Sequence, residues 1–397
     1  MKKSLEKICA LFFLFGFLFI PLTLNGKDFQ FQFTHILFSK PVAFLEEIFF
    51  SNALPQIDFS SDTISLLLLI ILLFFLAITI VFVLKFTKFK LDKIVAFSRV
   101  ISCYYIAFIL LKYGFDKVFK AQFYLPEPNI LYTNFGNLSK DILYWSTIGT
   151  SHFYSVSMGI IEVLVAILIL IKRTRILGLL LAIGVFGNII LINFGFDISV
   201  KIFSIFLFLA TIFAVFPCLK VVFNFFILQK KEQLSIENLS FTLNPIIKIW
   251  LKIMIVGVML LQILFPYFQS NNFNDDNAKR NFLHGAYQVT EIIKGNDTLK
   301  PEEFPIEKIF VHRNNYLIFQ DNNQQMTDYH FEINKLNNQL LLEDYAKNKI
   351  LVAFKFSQKD AVLELNFNKY HIVCKATNWR KLPALQDKIH FSVDEIR

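Results

Sequence analysis

The stretch from Ile64 to Leu84, ISLLLLIILLFFLAITIVFVL, contains 21 consecutive residues without a charged side chain. A helix of that length spans the ~30 Å hydrocarbon layer of a bilayer. The whole chain agrees with this pattern, because 55% of its 397 residues are hydrophobic and only 18% are charged. An ordinary soluble domain carries about a quarter charged residues. The sequence therefore predicts an integral membrane protein and argues against a soluble enzyme.

Seven apolar segments along the chain are predicted transmembrane helices. They are 9–24, 64–84, 95–113, 149–171, 176–194, 199–217 and 247–268. The first segment also fits a signal peptide, since a charged start precedes its apolar stretch. No small-x-small cleavage site follows it, so we favour a retained helix. Both alternatives leave the loop from Lys27 to Thr63 on the same side of the membrane.

The basic residues are unevenly distributed along the chain. The net charge is +9, and all of this excess precedes residue 270, because residues 270–397 carry 17 basic and 17 acidic side chains. The segments MKKSLEK, KFTKFKLDK (85–93) and KRTR (172–175) fall on one side of the predicted membrane. The positive-inside rule then places the N-terminus in the cytoplasm and the tail in the periplasm of a bacterial inner membrane. This distribution favours membrane lipids as partners over nucleic acid, and the KRTR turn is expected to contact lipid phosphates.

The tail after residue 270 has a different pattern, with short segments that alternate or run apolar at strand length and are separated by turn residues. These segments are YLIFQ (316–320), YHFEIN (329–334), ILVAFKF (350–356), AVLELNF (361–367) and YHIVCKA (370–376). Such segments are typical of strands, and about 115 residues suffice for a small antiparallel sheet or barrel. The predicted fold class is a mainly α membrane protein of about seven transmembrane helices with a C-terminal β-rich domain. The predicted domains are 1–94 (two transmembrane helices with an outer loop), 95–228 (membrane core), 229–269 (linker and last transmembrane helix) and 270–397 (extracytoplasmic β-rich domain).

The cysteines and histidines of the chain show no metal or dithiol motif. The four cysteines, Cys9, Cys103, Cys218 and Cys374, are far apart in sequence and form no Cys-x-x-Cys, so the sequence supplies no pair for a dithiol relay. Only His152 among the seven histidines lies near a membrane segment. Haem ligation across a helical bundle needs at least two facing histidines. We therefore predict no metal and no evident cofactor, apart from a quinone as a candidate ligand.

Glu162 is the most informative polar residue in the apolar segments. It lies about nine residues, or about 14 Å of helix, from the basic end of its segment. A carboxylate near the middle of a bilayer is costly and usually faces a bundle interior, a cavity or a cation. We expect Arg99, about one turn into the third segment, to reach towards it. A functional acid or base and a purely structural ion pair both remain open, and Glu162 is the candidate catalytic residue.

A second polar set is predicted at the opposite end of the same helices. Its members, which include both signs of charge, are Lys112, Tyr113, Asp116, Lys117, Gln122, His152, Asn188, Asn193, Asp197 and Lys201. Asp197 and Lys201 are spaced i, i+4 and can pair on one helical face. Together these residues predict the rim of a pocket for an anionic or quinone-like head group. Interfacial snorkelling explains Lys112 and Lys201 equally well.

Between Phe97 and Leu219 the chain resembles the DoxX-like membrane proteins, especially a long version with an added C-terminal domain. The stretches that carry the resemblance are YGFDKVFKAQF (113–123), GTSHFYSVSMGIIE (149–162), KRTRILGLLLAIGVFGN (172–188) and NFGFDISVKIFS (193–204). The resemblance implies a four-helix bundle formed by the third to sixth segments, and some DoxX-like proteins are associated with thiosulfate–quinone oxidoreduction or with complexes handling thiol stress. It also implies functional positions at Gly114, Lys117, Gln122, Gly159, Glu162, Arg173, Asn188, Asn193, Asp197 and Lys201. The stretch SKDILYW (139–145) departs from the Pro/Gly-rich loop expected there.

Three functions remain open from the sequence, and it does not decide whether the protein is an enzyme. In the leading hypothesis the bundle binds a lipophilic small molecule such as a quinone within a redox-linked membrane complex. Its predicted ligand-binding residues are Arg99, Lys117, Gln122, His152, Asn188, Asn193, Asp197 and Lys201. In the second hypothesis the protein is a non-enzymatic anchor whose periplasmic domain binds a protein partner. In the third it is a transporter in which Glu162 carries a proton.

Overall fold

The computed structural model describes residues 2–22, 29–50, 57–87, 91–230, 244–367, 369–386 and 392. The chain divides into two compact units. The helical unit comprises Met1–Gln122 and Val156–Phe273, and the barrel unit comprises Phe123–Ser155 and Asn274–Arg397. This division differs from the predicted domains, because the segment Phe123–Ser155, which we placed in the membrane core, belongs with the tail.

Ten α-helices form within the described residues. They are α1 (Lys2–Phe19), α2 (Phe29–Phe49), α3 (Ile64–Leu84), α4 (Asp92–Val118), α5 (Pro128–Leu131), α6 (Lys140–Thr150), α7 (His152–Leu170), α8 (Arg175–Gly195), α9 (Lys201–Phe226) and α10 (Pro245–Ser270). Within the described part of the chain, six of them, α3, α4, α7, α8, α9 and α10, are long and apolar enough to cross a membrane. Large apolar side chains such as Phe75 and Leu191 face outward from them. These features define a multi-pass membrane protein.

The first predicted segment falls largely within α1, whose first two turns carry Lys2, Lys3, Glu6 and Lys7. Helix α1 is not one of the six candidate spans, but its C-terminal half is part of the apolar core of the helical unit. Phe13 is 5% exposed there. Residues 23–28, which include the end of the predicted segment, lie outside the described residues.

Helix α2 was not predicted, since we expected residues 27–63 to form a loop. Its sequence, FQFQFTHILFSKPVAFLEEIF, has no long apolar run and contains Pro41, so neither length nor hydropathy indicated a helix. Tertiary contacts hold it in place. The Gln30 amide donates to the carbonyls of Leu18 and Ile20 at the end of α1, and the Thr34 hydroxyl donates to the carbonyl of Phe19. These bonds satisfy carbonyls that the end of α1 leaves without an intrahelical partner.

Helix α4 lies at the centre of the helical unit, where it contacts α1, α9 and α10, while α8 packs along α9. Ile106 and Leu110 of α4 share one apolar core with Ala166 of α7, Phe186 of α8 and Leu207 of α9. Each helix that carries a predicted site residue therefore contributes side chains to this apolar core.

Nine strands form within the described residues of the barrel unit. They are β1 (Gly285–Lys294), β2 (Asp297–Thr298), β3 (Lys308–Val311), β4 (Tyr316–Gln320), β5 (Met326–Asn334), β6 (Gln339–Glu343), β7 (Lys349–Ser357), β8 (Val362–Phe367) and β9 (Tyr370–Thr377). Each strand from β3 to β8 pairs antiparallel with the next strand in sequence, and β1 pairs antiparallel with both β3 and β9. Eight strands thus close a barrel, with β2 as a short addition to β1. The predicted β-rich tail and its five predicted strands are confirmed.

The segment Phe123–Ser155 packs on the outside of this barrel. Ala286, Phe310 and Ile318 form an apolar patch with Trp379, and Leu125, Leu131 and Tyr132 pack against it. Since the barrel interior has a separate apolar core, this patch is the physical reason that a segment distant in sequence joins the tail.

Candidate functional site

A buried ion pair joins α4 to α7 in the helical unit. The Lys117 Nζ lies 2.8 Å from the Glu162 Oε2, and the two side chains are only 9% and 2% exposed. Lys117 belongs to the last turn of α4, and Glu162 lies near the middle of α7. The ammonium group also lies 5.8 Å from the centre of the Tyr113 ring. The pair therefore sits in mixed apolar and aromatic surroundings, where the attraction between opposite charges is stronger than in water.

Two glycines allow the backbones of α4 and α7 to approach closely enough for this pair. A Cβ atom on Gly159 would lie 2.6 Å from the carbonyl oxygen of Gly114, and one on Gly114 would lie 2.8 Å from Val163. Each glycine precedes an ionic residue by three positions, so the helical repeat puts Gly114 with Lys117 and Gly159 with Glu162. The close crossing therefore brings the ammonium and the carboxylate together.

A second polar contact extends this site towards α10. The Lys112 Nζ lies 2.9 Å from Asp116 Oδ2, and the Tyr267 hydroxyl donates to Asp116 Oδ1 at 2.5 Å. The predicted residues Lys112, Tyr113, Asp116 and Lys117 thus occupy the last two turns of α4. We call these four residues together with Glu162 and Tyr267 the α4 polar site.

Other predicted residues form a separate group where α8 ends and α9 begins. Asn193 donates to the Ser204 hydroxyl at 3.2 Å, and the Lys201 Nζ lies 2.8 Å from Asp197. Asp62, which the site prediction missed, accepts from the backbone N–H groups of Lys201 and Ile202 at 2.9 and 2.8 Å. Asp62 thereby caps the start of α9. Its only sequence signal was its position in SDT (61–63), just before an apolar run.

The prediction that Arg99 reaches towards Glu162 is wrong. The structure pairs Glu162 with Lys117, while the Arg99 guanidinium lies 3.4 Å from Glu6 of α1. Arg99 is in the second turn of α4 and Lys117 in its last, which is about 27 Å along the helix. The predicted inner cation therefore lies at the other end of the bundle.

Three more predicted residues lie apart from the α4 polar site. Asn188 is exposed on the surface of α8, because its position on the helix faces away from α9. His152 belongs to the barrel unit, where its Nδ1 lies 3.8 Å from Asp276. Gln122 lies beyond the end of α4, and its buried Oε1 has no hydrogen-bond partner among the described residues. The predicted single pocket rim is therefore divided among several places.

A cavity of about 50 Å³ lies where α4 and α8 begin, beside the second half of α9. Arg99, Arg175, Cys103 and Cys218 are among the residues that line it. The sequence offered no pair of thiols, since Cys103 and Cys218 are far apart along the chain. The tertiary structure places both on one cavity.

The barrel unit contains a buried charge cluster that sequence reasoning missed. Glu127, 3% exposed, accepts from Arg313 through the guanidinium Nε and the backbone N–H, and lies 2.9 Å from His284 Nε2. A second guanidinium nitrogen of Arg313 lies 2.5 Å from Asp275. The guanidinium carbon stacks 3.8 Å from the Tyr124 ring centre. Burial opposes ionisation, but the His284 hydrogen bond and the charge of Arg313 lower the pKa of Glu127 to about 2. A glutamate between Pro126 and Pro128 was the only local signal.

Among the described residues, no group of three or more His, Cys, Asp or Glu side chains could hold a metal ion. The α4 polar site instead contains two carboxylates, Asp116 of α4 and Glu162 of α7. It also contains hydrogen-bond donors, which include the Lys117 ammonium group and the Tyr267 hydroxyl. Such a set can orient a neutral or anionic organic group and can exchange a proton with it.

Comparison with known proteins gives limited information about this chain. No family model and no solved structure matches it. A stretch of 97 residues is 36% identical to the Uncharacterized protein YwoB of Bacillus subtilis (strain 168). This stretch is 24% of the present chain and 61% of the Bacillus protein, so the chain spans less than two thirds of that relative.

Proposed function

We propose that the helical unit binds a lipophilic small molecule, such as a quinone, at the α4 polar site. This is the function that the resemblance to DoxX-like proteins implies. The observation that supports it is the Lys117–Glu162 pair, 2.8 Å apart and almost fully buried in two candidate membrane spans. Ionic side chains in membrane segments are costly and commonly mark ligand or proton pathways.

The chemistry of the pair suits a quinone head group. The Lys117 ammonium can donate to a quinone carbonyl oxygen, and Glu162 can serve as an internal acid or base when protons are taken up or released. The nearby Tyr267 hydroxyl and Lys112 supply further donors at the same end of α4. Electrons would come from another member of a redox-linked membrane complex.

Extraction of bound molecules tests this function. The full-length protein is purified in mild detergent, and its quinone content is compared with that of bulk membrane lipid. We expect enrichment in the wild type, and loss of the bound molecule in Lys117→Met and Glu162→Gln. Lys40→Met and Glu47→Gln, at exposed positions of α2, are the matched controls and should retain it.

A purely structural ion pair gives a different result in the same experiment. In that case Lys117→Met and Glu162→Gln each lower the folded yield, and the double replacement partly restores it. The bound-molecule content per folded protein would then be the same in all variants. That outcome would reject the ligand-binding function and leave the pair as a link between helices.

We also propose a bacterial inner membrane with the N-terminus in the cytoplasm and the barrel unit in the periplasm. The support is the clustering of basic residues in the first two turns of α1, after α3 and in the KRTR turn at the start of α8. Alkaline phosphatase fused after residue 386 should be active on this topology. Fusion in the KRTR turn should be inactive, and the reverse pattern would overturn the orientation.

A second candidate function is an anchor whose barrel unit binds a protein partner. It is favoured by two apolar side chains on the barrel surface, Leu336 and Leu351, which are 96% and 58% exposed. Site-specific crosslinking from these positions should capture one defined partner. Crosslinks from the exposed Glu332 of β5 provide the background, and an equal pattern from all three positions would exclude this function.

A further inference from the structure

The cavity between α4, α8 and α9 is lined by residues that have no role in the proposed function. It lies about 27 Å along α4 from Lys117, at the end where α4 and α8 begin. Its volume, about 50 Å³, holds roughly three or four waters.

Two guanidinium groups line this small space. Arg99 comes from α4, where its side chain is only 12% exposed and lies over the Phe213 ring. Arg175 comes from the first turn of α8, and its Nε donates to the carbonyl of Ile169 at 2.9 Å. This bond fixes the Arg175 side chain at the cavity. Lys252 of α10 lies close enough to Arg175 for their charges to interact.

The cavity lies at the positive end of a helix. The start of α8 supplies partial positive charge, because the Thr174 hydroxyl donates to the carbonyl of Leu168 and does not cap the helix. Glu6 of α1 lies 3.4 Å from Arg99. An anion at the cavity would therefore meet two guanidinium groups and the N-terminus of α8.

The remainder of the cavity lining is apolar and includes Ile176, Leu179 and Val215. We propose that the cavity binds a phosphate monoester or diester group carried by an apolar chain, with Arg99 and Arg175 holding the phosphate oxygens. Guanidinium groups bind phosphate through paired, charge-assisted hydrogen bonds. The apolar lining suits the chain that follows the phosphate. An anionic phospholipid and free phosphate share the group that is recognised, and the experiment separates them.

The accessibility of Cys218, which lines the cavity, reports whether the cavity is occupied. The full-length protein is placed in nanodiscs of phosphatidylcholine alone or with phosphatidylglycerol, and maleimide labelling of Cys218 is followed by peptide mass spectrometry. Inorganic phosphate is added to a third sample without phosphatidylglycerol. Native mass spectrometry of detergent-solubilised protein measures phosphatidylglycerol retention in parallel.

We expect phosphatidylglycerol to slow the labelling of Cys218 and to remain bound to the protein. Arg175→Gln and Arg99→Gln should each weaken retention about tenfold, since each removes one charge-assisted contact. Lys220→Gln is the control, because it removes one positive charge from an exposed position of α9 outside the cavity lining. Arg175→Lys, which keeps the charge, should retain intermediate binding.

Protection by phosphatidylglycerol alone identifies a lipid as the source of the phosphate, and protection by inorganic phosphate as well identifies the anion as sufficient. Equal labelling in all three samples would overturn the site. A Lys220→Gln effect as large as that of Arg175→Gln would also overturn it, because a general surface attraction would then explain binding. If Arg99→Gln fails to fold, Arg175→Gln still decides the result.

Discussion

Glu162 in the helical unit and Glu127 in the barrel unit are buried to nearly the same degree, 2% and 3% exposed. They are neutralised in different ways. Among the residues that the structure describes, Glu162 forms one salt bridge, with the long Lys117 side chain of a neighbouring helix. Glu127 is bound by Arg313 through two nitrogens and by His284, and Arg313 is itself held by Asp275 and Tyr124.

The comparison indicates two uses of a buried carboxylate. Several rigid donors around Glu127 favour one ionised, fixed state, which suits a link between the segment Phe123–Ser155 and the barrel. A single Lys partner leaves Glu162 able to exchange its proton or its partner, as the proposed ligand site requires.

Replacing Glu127 with Ala should have the largest effect on stability. It leaves the Arg313 guanidinium buried without its main carboxylate, and breaking such a pair costs about 3 to 5 kcal/mol. Hydrogen exchange of β1 in the full-length protein, measured in urea, reports this loss. Glu332→Ala, at an exposed position of β5, is the control and should change little. An equally small effect of Glu127→Ala would remove the contrast with Glu162.

Acid should destabilise the barrel unit through the same residue. The pKa of Glu127 is about 2 in the folded chain and 4.5 ordinarily. A lowered folded pKa gives stability that is complete above pH 4.5 and disappears as the pH falls through 2. The loss amounts to about 3 kcal/mol, and hydrogen exchange of β1 at pH values across this range measures it. Glu127→Gln should remove this part of the acid dependence, whereas Glu332→Gln should keep it.

The close crossing of α4 and α7 is tested by Gly159→Ala. The added Cβ would meet a backbone oxygen of Gly114 at 2.6 Å, so the helices must separate at a cost of about 1 to 3 kcal/mol. Thermal unfolding of the detergent-solubilised protein should show a lower midpoint, with loss of the bound molecule. Gly184→Ala has nothing within 4 Å of its Cβ and should be neutral or stabilising. Equal midpoints for both variants would show that the crossing does not position the pair.

Two asparagines of α8 provide the finest comparison. Asn193→Leu removes the buried hydrogen bond to Ser204 and should cost about 1 kcal/mol. Asn188→Leu changes an exposed side chain and should stay within about 0.5 kcal/mol. Thermal midpoints of the two variants, measured together, check the order. A larger loss at Asn188 would indicate that this face of α8 is covered by another molecule.

The sequence predicted the six apolar helices and several strands of the barrel because each depends on a local pattern. An apolar run such as Ile64–Leu84 can satisfy its backbone only as a helix in a membrane. The short apolar run Tyr316–Gln320, bounded by turn residues, indicates a strand in the same direct way. Helix α2 was not predicted from the sequence, because tertiary contacts, and not its own hydropathy, hold it in place.

The site was predicted only in part. The sequence singled out Lys117 and Glu162 individually, since an ionic residue in or beside an apolar run is unusual. It assigned Arg99 as the partner, because distance along the chain does not tell which helix faces which. Glu127 and Arg313 were missed entirely, since neither lies in an unusual local context beyond two prolines.

Amino-acid order by itself determined where this chain enters an apolar medium, where it alternates as strands and which charges are costly. These properties arise within one helical turn or one strand pleat. Tertiary structure alone decided which charges meet. Lys117 and Glu162 are 45 residues apart, and Glu127 and Arg313 are 186 apart. The first pair depends on a helix crossing that two glycines permit, and the second depends on an apolar patch on the outside of the barrel. Neither feature can be recognised from a short stretch of sequence.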